Sequence, residues 1–297
     1  ILITGGNGFI AKELISRFDA FAEELAEYKN ETLDLLVTHR DTLNVMDAKA
    51  VDEFFATHEN IDYVIHTAIS GGRRTKPDGP EVVYENLFMF ENLAKHRDKY
   101  KMMITFGSGA ERDRTKGVDE CSEESFTLNN KDIPSDYYGF SKYLIAKRID
   151  DINDNIINLR IFNVFGEYEA EDRMIKNNLH RYAEYMPLEI FQDRKMDFFG
   201  AGDLFRVICY FLGGGKMEGT RSLNMCYPEK TTLVDIAKAI SKVDNFKFRY
   251  LVGDDEVAPA YCGNGCKLGN LSVNLAGLQA ELKGVYKAWS KNRWERK

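Results

Sequence analysis

The sequence is poor in the cross-links that hold small exported proteins together. Its five cysteines are scattered over 297 residues, and only Cys262 and Cys266 lie close to each other. That pair has no histidine beside it and fits a glycine-rich loop better than a metal site or a disulfide. We therefore expect free thiols, a reducing compartment and no bound metal, in a chain long enough to bury a core without staples.

Positive charge and long apolar runs are lacking as well. Lysine and arginine number 40 against 47 aspartates and glutamates, and a net charge of −7 argues against nucleic acid as a partner. No segment approaches the length of a membrane span, and no secretion signal is recognisable at the start. We expect a soluble cytoplasmic protein that does not bind membranes. Since Ile1 is not preceded by Met, we also expect a residue or two of the first strand before it.

What the sequence does contain begins with a glycine turn. A short apolar run, residues 1–4, ends at this turn, and a helical pattern follows it, with the small Ala11 allowing strand and helix to pack closely. Strand, glycine turn and helix together bind a pyrophosphate, because the backbone approaches closely and the helix start offers free N–H groups. The predicted cofactor contacts here are Gly5, Gly6, Asn7, Gly8, Phe9 and Ile10.

The residues after the second predicted strand bear on the choice of cofactor. His39 and Arg40 follow that strand, and an arginine there suits the 2′-phosphate of NADP. Asp41 comes next and suits the free ribose of NAD, so NADP is favoured and NAD stays the alternative. Thr67 and Ala68 follow the third strand at the ligand-binding edge, and we expect them to contact the cofactor as well.

A possible catalytic set comes from a helix and from the end of the fourth strand. Tyr138 and Lys142 are four residues apart, so on a helix their side chains share a face. A nearby ammonium makes a phenol a better proton donor, and the hydroxyl of Ser108 can hydrogen-bond a developing alkoxide. This combination of residues predicts the reduction of a carbonyl by hydride.

The order of elements predicts an α/β protein with a Rossmann-type doubly wound parallel sheet and a smaller α+β substrate-binding lobe. We place the dinucleotide-binding domain at residues 1–165, with residues 200–225 returning to it, and most of the lobe at 166–297. The polar stretch 111–135 is predicted to be a loop over the site. Arg173 and Arg206, in the lobe, are candidates to neutralise a substrate diphosphate.

Four motifs in this order and spacing resemble the extended short-chain dehydrogenase/reductases acting on nucleotide sugars, and most of all the GDP-fucose synthase branch. They are the glycine turn at residues 5–11, Ser108, Tyr138 with Lys142, and the run Arg160-Ile161-Phe162-Asn163-Val164-Phe165-Gly166. The resemblance implies Tyr138 as acid/base, Lys142 on the nicotinamide ribose, Ser108 on the sugar oxygen and Asn163 near the substrate. It also implies a homodimer through helices 81–96 and 136–151, the first of which has more apolar surface than one sheet contact needs.

Departures from the family pattern narrow the reaction. Nucleotide-sugar dehydratases have an Asp-Glu pair where this chain has Gly109 and Ala110. Fucose synthase has a cysteine base at the position of Ala110 and a histidine acid near Arg173, whereas Glu111 and His180 are offset from these places. Dehydration and 3,5-epimerisation therefore both lack their usual groups.

The resulting hypothesis is an NADP(H)-dependent reductase of a 4-keto-6-deoxy nucleotide-diphosphate sugar. A 4-epimerase that keeps NAD bound uses the same three residues and is the first alternative, which Arg40 disfavours. A catalytically silent dinucleotide-binding sensor on the same fold is the second, which the presence of Tyr138 disfavours.

Overall fold

The computed structural model describes residues 1–29, 32–73, 76–127, 131–244, 249–254 and 256–294. Six parallel strands form the central sheet, in the spatial order β2-β1-β3-β4-β6-β10. Their bounds are β1 Leu2–Thr4, β2 Leu36–Thr38, β3 Tyr63–His66, β4 Met102–Ser108, β6 Ile156–Ile161 and β10 Ser222–Met225, with β5 Val118–Cys121 lying outside this sheet.

Helices cover both faces of the sheet, which is why its strands are apolar on both sides. Neighbouring strand residues belong to different cores: Leu2 and Val64 to one, Ile3 and Ile65 to the other. The helices of the described residues are α1 Phe9–Lys29, α2 Ala48–Thr57, α3 Glu81–Ala94, α4 Glu124–Thr127, α5 Tyr137–Ile152, α6 Met174–Ala183, α7 Ala201–Leu212, α8 Leu233–Ile240, α9 Cys266–Gly269 and α10 Leu278–Trp294.

The order of the strands creates a crevice at the carboxyl edge of the sheet. The chain runs from β1 outward to β2 and then returns to place β3 on the other side of β1. Adjacent crossovers therefore leave in opposite directions between β1 and β3, and open α/β sheets bind their ligands at such a point. β4 and β6 continue the same edge with Ser108 and Ile161 at their ends.

A second, smaller core lies beside the sheet. It joins apolar residues of α6, α8 and α10 to the strand β8 Leu188–Gln192. Three short parallel pairs accompany it, β8 with β11, β7 with β9 and β5 with β12. The remaining strands are β7 Val164–Phe165, β9 Phe199–Gly200, β11 Tyr250–Asp254 and β12 Tyr261–Gly263.

The predicted fold class is confirmed by the six-stranded parallel sheet with helices on both faces. Within residues 200–225, α7 contributes to the sheet core and β10 pairs with β6, although the proposed domain boundaries themselves stay a prediction. The prediction of a loop at 111–135 is wrong in part, because that stretch contains β5 and α4. No helix in the described ranges is long and apolar enough to cross a membrane.

We expect Gly5→Ala to destabilise the protein more than Gly214→Ala does. Both glycines have positive φ, +72° and +86°, so either substitution strains the backbone by about 1 kcal/mol. A Cβ on Gly5 would lie 2.7 Å from the backbone of Ala68, whereas one on Gly214 would meet nothing within 4 Å. Overpacking should add about 1–3 kcal/mol at Gly5 alone. Equal losses in urea denaturation would contradict the close approach of the two strand ends.

Candidate active site

The turn between β1 and α1 follows the carboxyl end of β1, beside the crevice. Gly5 needs its positive φ there, and a Cβ on Gly6 would overlap the side chains of Val37 and His39. The Gly8 N–H closes the turn on the Gly5 carbonyl at 2.9 Å, and α1 begins at once. A helix start reached through a turn that contains three glycines suits a pyrophosphate. Of the other predicted contacts here, Asn7 is exposed, Phe9 is half-buried and Ile10 lines the cleft described below.

The end of β2 lies beside this turn. The Gly6 N–H donates to the Thr38 carbonyl at 2.9 Å, which brings His39 and Arg40 next to the glycine turn. Arg40 is exposed, while His39 is half-buried and its Nδ1 has no hydrogen-bond partner among the described residues. Both residues therefore lie beside the glycine turn, and their contact with a cofactor stays a prediction.

The end of β3 is held by threonines. His66 shares a 2.8 Å hydrogen bond between its Nδ1 and Thr4 Oγ1, and the Thr67 hydroxyl donates to the Thr4 carbonyl at 2.6 Å. Burial, with a further contribution from the charge of Lys142, lowers the pKa of His66 to about 3. The imidazole is thus neutral, and it lines the cleft together with Thr67 and Ala68.

Helix α5 brings Tyr138 and Lys142 to the crevice. The carboxylate of Asp136 accepts the Gly139 N–H at 2.8 Å and so fixes the start of the helix. The Lys142 ammonium is buried, donates to the Phe106 carbonyl at 2.6 Å and lies 5.9 Å from the centre of the Tyr138 ring. Burial lowers the pKa of Lys142 to about 8. Burial also raises the pKa of the Tyr138 phenol, so the expectation that the ammonium makes this phenol more acidic is wrong, because burial has the larger effect.

Ser108 stands at the carboxyl end of β4 and begins a 3₁₀ turn over Gly109–Glu111. Its hydroxyl accepts the Ala110 N–H at 3.1 Å, and its own N–H donates to Glu111 Oε1 at 3.0 Å. These reciprocal hydrogen bonds form a capping box, which fixes the backbone of the serine. The Ser108 hydroxyl also favours the ionised form of Tyr138 by hydrogen bonding, so the two side chains are neighbours.

Beneath Ser108 lies an ion pair with no exposure to solvent. Arg160 Nε donates to Glu111 Oε2 at 2.6 Å, and both side chains are 0% exposed. Asn158 adds a hydrogen bond to Glu111 at 3.2 Å, and Arg160 reaches Asn224 on β10 at 3.0 Å. Glu111 is therefore directed into the protein interior and does not line the cleft described below.

One cleft of about 1040 Å³ is lined by eight of the sixteen predicted site residues, whereas residues 5–9 and the pair His39 and Arg40 are not part of its lining. Ser108, Tyr138 and Lys142 line it, and so do Asn163 and Arg173 on the side of the lobe. Asn163 is fixed by donating its amide to the Asp197 carbonyl at 3.0 Å. Of the six residues that we predicted to be catalytic or substrate-binding, five thus face a common space, and Arg206 does not.

Two residues from the sequence analysis lie elsewhere. Arg206 pairs with Asp203 and Glu281, at 2.9 Å each, and does not line this cleft, so we leave it out of the proposed site. His180 is 2.7 Å from the carboxylate of Glu171 and is also absent from the cleft lining. Along the described stretches, no group of three or more residues has the arrangement of a metal site.

The structure adds Tyr261, which sequence reasoning missed. Its hydroxyl lies 3.4 Å from Ser108 Oγ, and both residues are buried. The cations of Arg114 and Arg194 also line the cleft. No sequence signal relates Tyr261 to Ser108, because 153 positions separate them and a glycine-rich run follows the tyrosine.

A doubly wound sheet with a glycine turn after its first strand, and with Ser, Tyr and Lys at one end of it, defines a short-chain dehydrogenase/reductase of the extended type. Residues 1–225 match the family described as the NAD dependent epimerase/dehydratase family. The chain belongs to this family, which confirms the family expected from its motifs.

Individual relatives are more distant. The dTDP-4-dehydro-6-deoxyglucose reductase of Escherichia coli is 27% identical in an alignment 273 residues long, which covers 81% of this chain and 80% of that protein. The structure of a GDP-mannoheptose C4 reductase from Campylobacter jejuni, with NADP bound, has a TM-score of 0.78 and 17% identity over 97% of both chains. A GDP-L-fucose synthetase from Naegleria fowleri has a TM-score of 0.76 and 15% identity, over 99% of this chain and 93% of that one. At such identities the structural likeness establishes the fold.

We expect Glu111→Ala to destabilise the protein by about 3–5 kcal/mol, because Arg160 would become an unpaired buried charge. Asp62→Ala is the matched control. It removes an ion pair to Lys101 of similar length, 2.7 Å, whose side chains are 59% and 69% exposed, and such pairs contribute about 0–1 kcal/mol. Denaturant unfolding of both variants measures the difference. Similar small losses would show that the Glu111 pair is hydrated and does not hold the end of β4.

Proposed function

We propose that this protein reduces a 4-keto-6-deoxy nucleotide-diphosphate sugar with NADPH. The observation that carries the proposal is the meeting of Ser108, Tyr138 and Lys142 in one cleft, beside the end of β3 and the β1–α1 turn. The names of the relatives support the same reaction class, since two of them are reductases of nucleotide-linked sugars.

The residues present fit a nicotinamide dinucleotide. A Cβ at Gly5 or Gly6 would occupy the space beside the glycine turn. The exposed Arg40 lies next to this turn, where its guanidinium would bind a 2′-phosphate. Lys142 and Thr67 would contact the nicotinamide half from the other side of the crevice. When bound, this cofactor supplies the hydride. Arg40 favours NADP, and NAD stays the alternative.

Tyr138 acts as the proton donor. Its raised pKa keeps the buried phenol protonated at neutral pH, as a donor to a new alkoxide requires. The charge of Lys142 stabilises the phenolate that remains after the transfer, and a pKa of about 8 leaves this amine mostly charged at pH 7. Ser108 donates a hydrogen bond to the carbonyl oxygen as negative charge develops on it.

The substrate lies on the lobe side of the cleft. Arg173 and Arg194 bring positive charge to that wall, which suits a diphosphate. Asn163, whose amide nitrogen donates to Asp197, offers its side-chain carbonyl oxygen to the sugar. Gly109 and Ala110 offer no acid or base, and Glu111 is engaged with Arg160. Reduction without loss of water and without 3,5-epimerisation is the chemistry that these groups permit.

The assay that tests the proposal is NADPH oxidation with a panel of 4-keto nucleotide sugars. We expect turnover by the wild type and a loss of at least about 100-fold in kcat for Tyr138→Phe, because a general acid is removed. Tyr143→Phe, on the same helix but outside the cleft lining, is the control and should retain activity.

Two outcomes would contradict the proposal. The first is a wild type that oxidises NADPH with none of the sugars. The second is tightly held NAD in the purified protein together with interconversion of C4 epimers, which would favour the 4-epimerase.

We further propose a cytoplasmic homodimer formed through α3 and α5. The rings of Tyr84 and Phe88 on α3 are 56% and 40% exposed and lie 4.4 Å apart, a pairing typical of interface surfaces. Arg148 of α5 bonds Glu91 of α3, so the two helices form one surface. Sedimentation should give twice the chain mass, and Tyr84→Lys with Phe88→Lys should give the monomer. A wild type that sediments as a monomer at micromolar concentration would exclude this dimer.

A further inference from the structure

The Ser108 hydroxyl can donate one hydrogen bond and accept two. A serine oxygen carries one hydrogen and two acceptor lone pairs. One lone pair accepts the Ala110 N–H at 3.1 Å, which leaves one lone pair and the hydrogen. If the hydrogen goes to Tyr261, the serine has nothing to donate to a substrate oxygen. If Tyr261 is the donor, both lone pairs are filled and the hydrogen is directed to the cleft, where Tyr138 and a bound substrate oxygen are the acceptors that it can meet.

We propose that Tyr261 is a positioning residue for the reduction, whose phenol donates to Ser108 and leaves the serine hydrogen for the carbonyl oxygen of the substrate. The inference rests on the proposed reductase function. Among the described residues, Ser108 is the one hydrogen-bond partner of the Tyr261 hydroxyl. Both residues are 7% exposed, so little water competes for this contact. Burial also raises the pKa of Tyr261, which keeps its hydrogen in place at neutral pH.

The backbone of Tyr261 is fixed from several sides. Its N–H donates to the Lys195 carbonyl at 2.8 Å, and its carbonyl accepts the Asp197 N–H at 3.2 Å. The strand β12 pairs in parallel with β5, where Tyr261 is opposite Val118. A residue held on two strand edges can orient a neighbour without a large entropic cost.

The ring of Tyr261 is fixed as well, and it depends on Gly109. It packs edge-on against Phe162, with ring centres 5.4 Å apart. A Cβ on Gly109 would overlap the Phe162 ring and lie 2.9 Å from Cζ of Tyr261. The absence of a side chain at position 109 is therefore what lets this phenol reach Ser108.

The test is a double-mutant cycle of Ser108→Ala and Tyr261→Phe, read as kcat and KM for the 4-keto sugar that the wild type reduces. Tyr261→Phe keeps the ring and removes only the hydroxyl. We expect it to lower kcat about 3- to 10-fold, the value of one hydrogen bond, with KM nearly unchanged. In the Ser108→Ala background the same change should alter kcat by less than about 2-fold, because it acts through the serine.

Tyr182→Phe is the matched control. This buried tyrosine also has its hydroxyl 3.4 Å from an acceptor, the Ser241 carbonyl, but it lies outside the cleft lining. Its kcat should equal that of the wild type. An unchanged kcat in Tyr261→Phe, or an equal loss with and without Ser108, would overturn the proposal, the latter because Tyr261 would then act independently of the serine.

A readout without turnover separates this inference from the proposed function. In protein labelled with ¹³C at tyrosine Cζ, the Tyr261 resonance is the one missing from Tyr261→Phe. It should move in Ser108→Ala and stay in place in Tyr182→Phe. A resonance that does not move with Ser108 overturns the inference whatever the enzyme assays give. Failure of the wild type to reduce any 4-keto sugar refutes the reductase, and with it the role of Tyr261 in reduction, even if the resonance moves.

Discussion

The buried ion pair of Glu111 and Arg160 is the interaction on which the geometry of this site depends. Its charges have lost their water, so each must be satisfied by the protein. Arg160 lies on β6 and extends to Asn224 on β10, while its guanidinium stacks 4.0 Å from the ring centre of Phe126. Glu111 returns to the N–H of Ser108 on β4. A single pair thereby joins three strands and one short helix, and the serine is fixed as a consequence.

Burial at the carboxyl edge of the central sheet also determines which side chains of the cleft carry a charge. Lys142 keeps a costly buried charge whose pKa falls to about 8, and the neighbouring His66 stays neutral because its pKa falls to about 3. A second cation beside Lys142 would lower the pKa of the amine further. The imidazole therefore contributes a polar wall and no competing charge. Sites often hold strained or desolvated groups of this kind at the expense of stability.

Sequence patterns predicted the parts of the molecule in which local chemistry determines structure. The strand, glycine turn and helix at Gly5 follow from periodicity, and the spacing of Tyr138 and Lys142 on one helix face follows from the pitch of the helix. Sequence patterns could not predict contacts between residues that are far apart in the chain. The strand β12 looks like part of a glycine-rich loop until β5 pairs with it, and Arg206 looks free until Glu281 of α10 reaches it. Glu111 is charged and follows a turn, so the sequence places it at the surface, whereas Arg160 draws it inside.

The glycine at position 109 has two consequences: the chain lacks an acidic residue next to Ser108, and the Tyr261 phenol can contact Ser108. An acidic side chain there would give the cleft a proton donor next to Ser108, but its Cβ alone would overlap Phe162 and crowd the Tyr261 ring. The two arrangements exclude each other, because one volume cannot hold both a carboxylate side chain at position 109, in the turn after β4, and the phenol of Tyr261 from β12. With glycine at position 109, the site has no carboxylic acid there and has room for the neutral, protonated phenol of Tyr261. A site built in this way can hold and protonate an oxygen at one carbon, and neither Gly109 nor Ala110 supplies a base to withdraw a proton from the next.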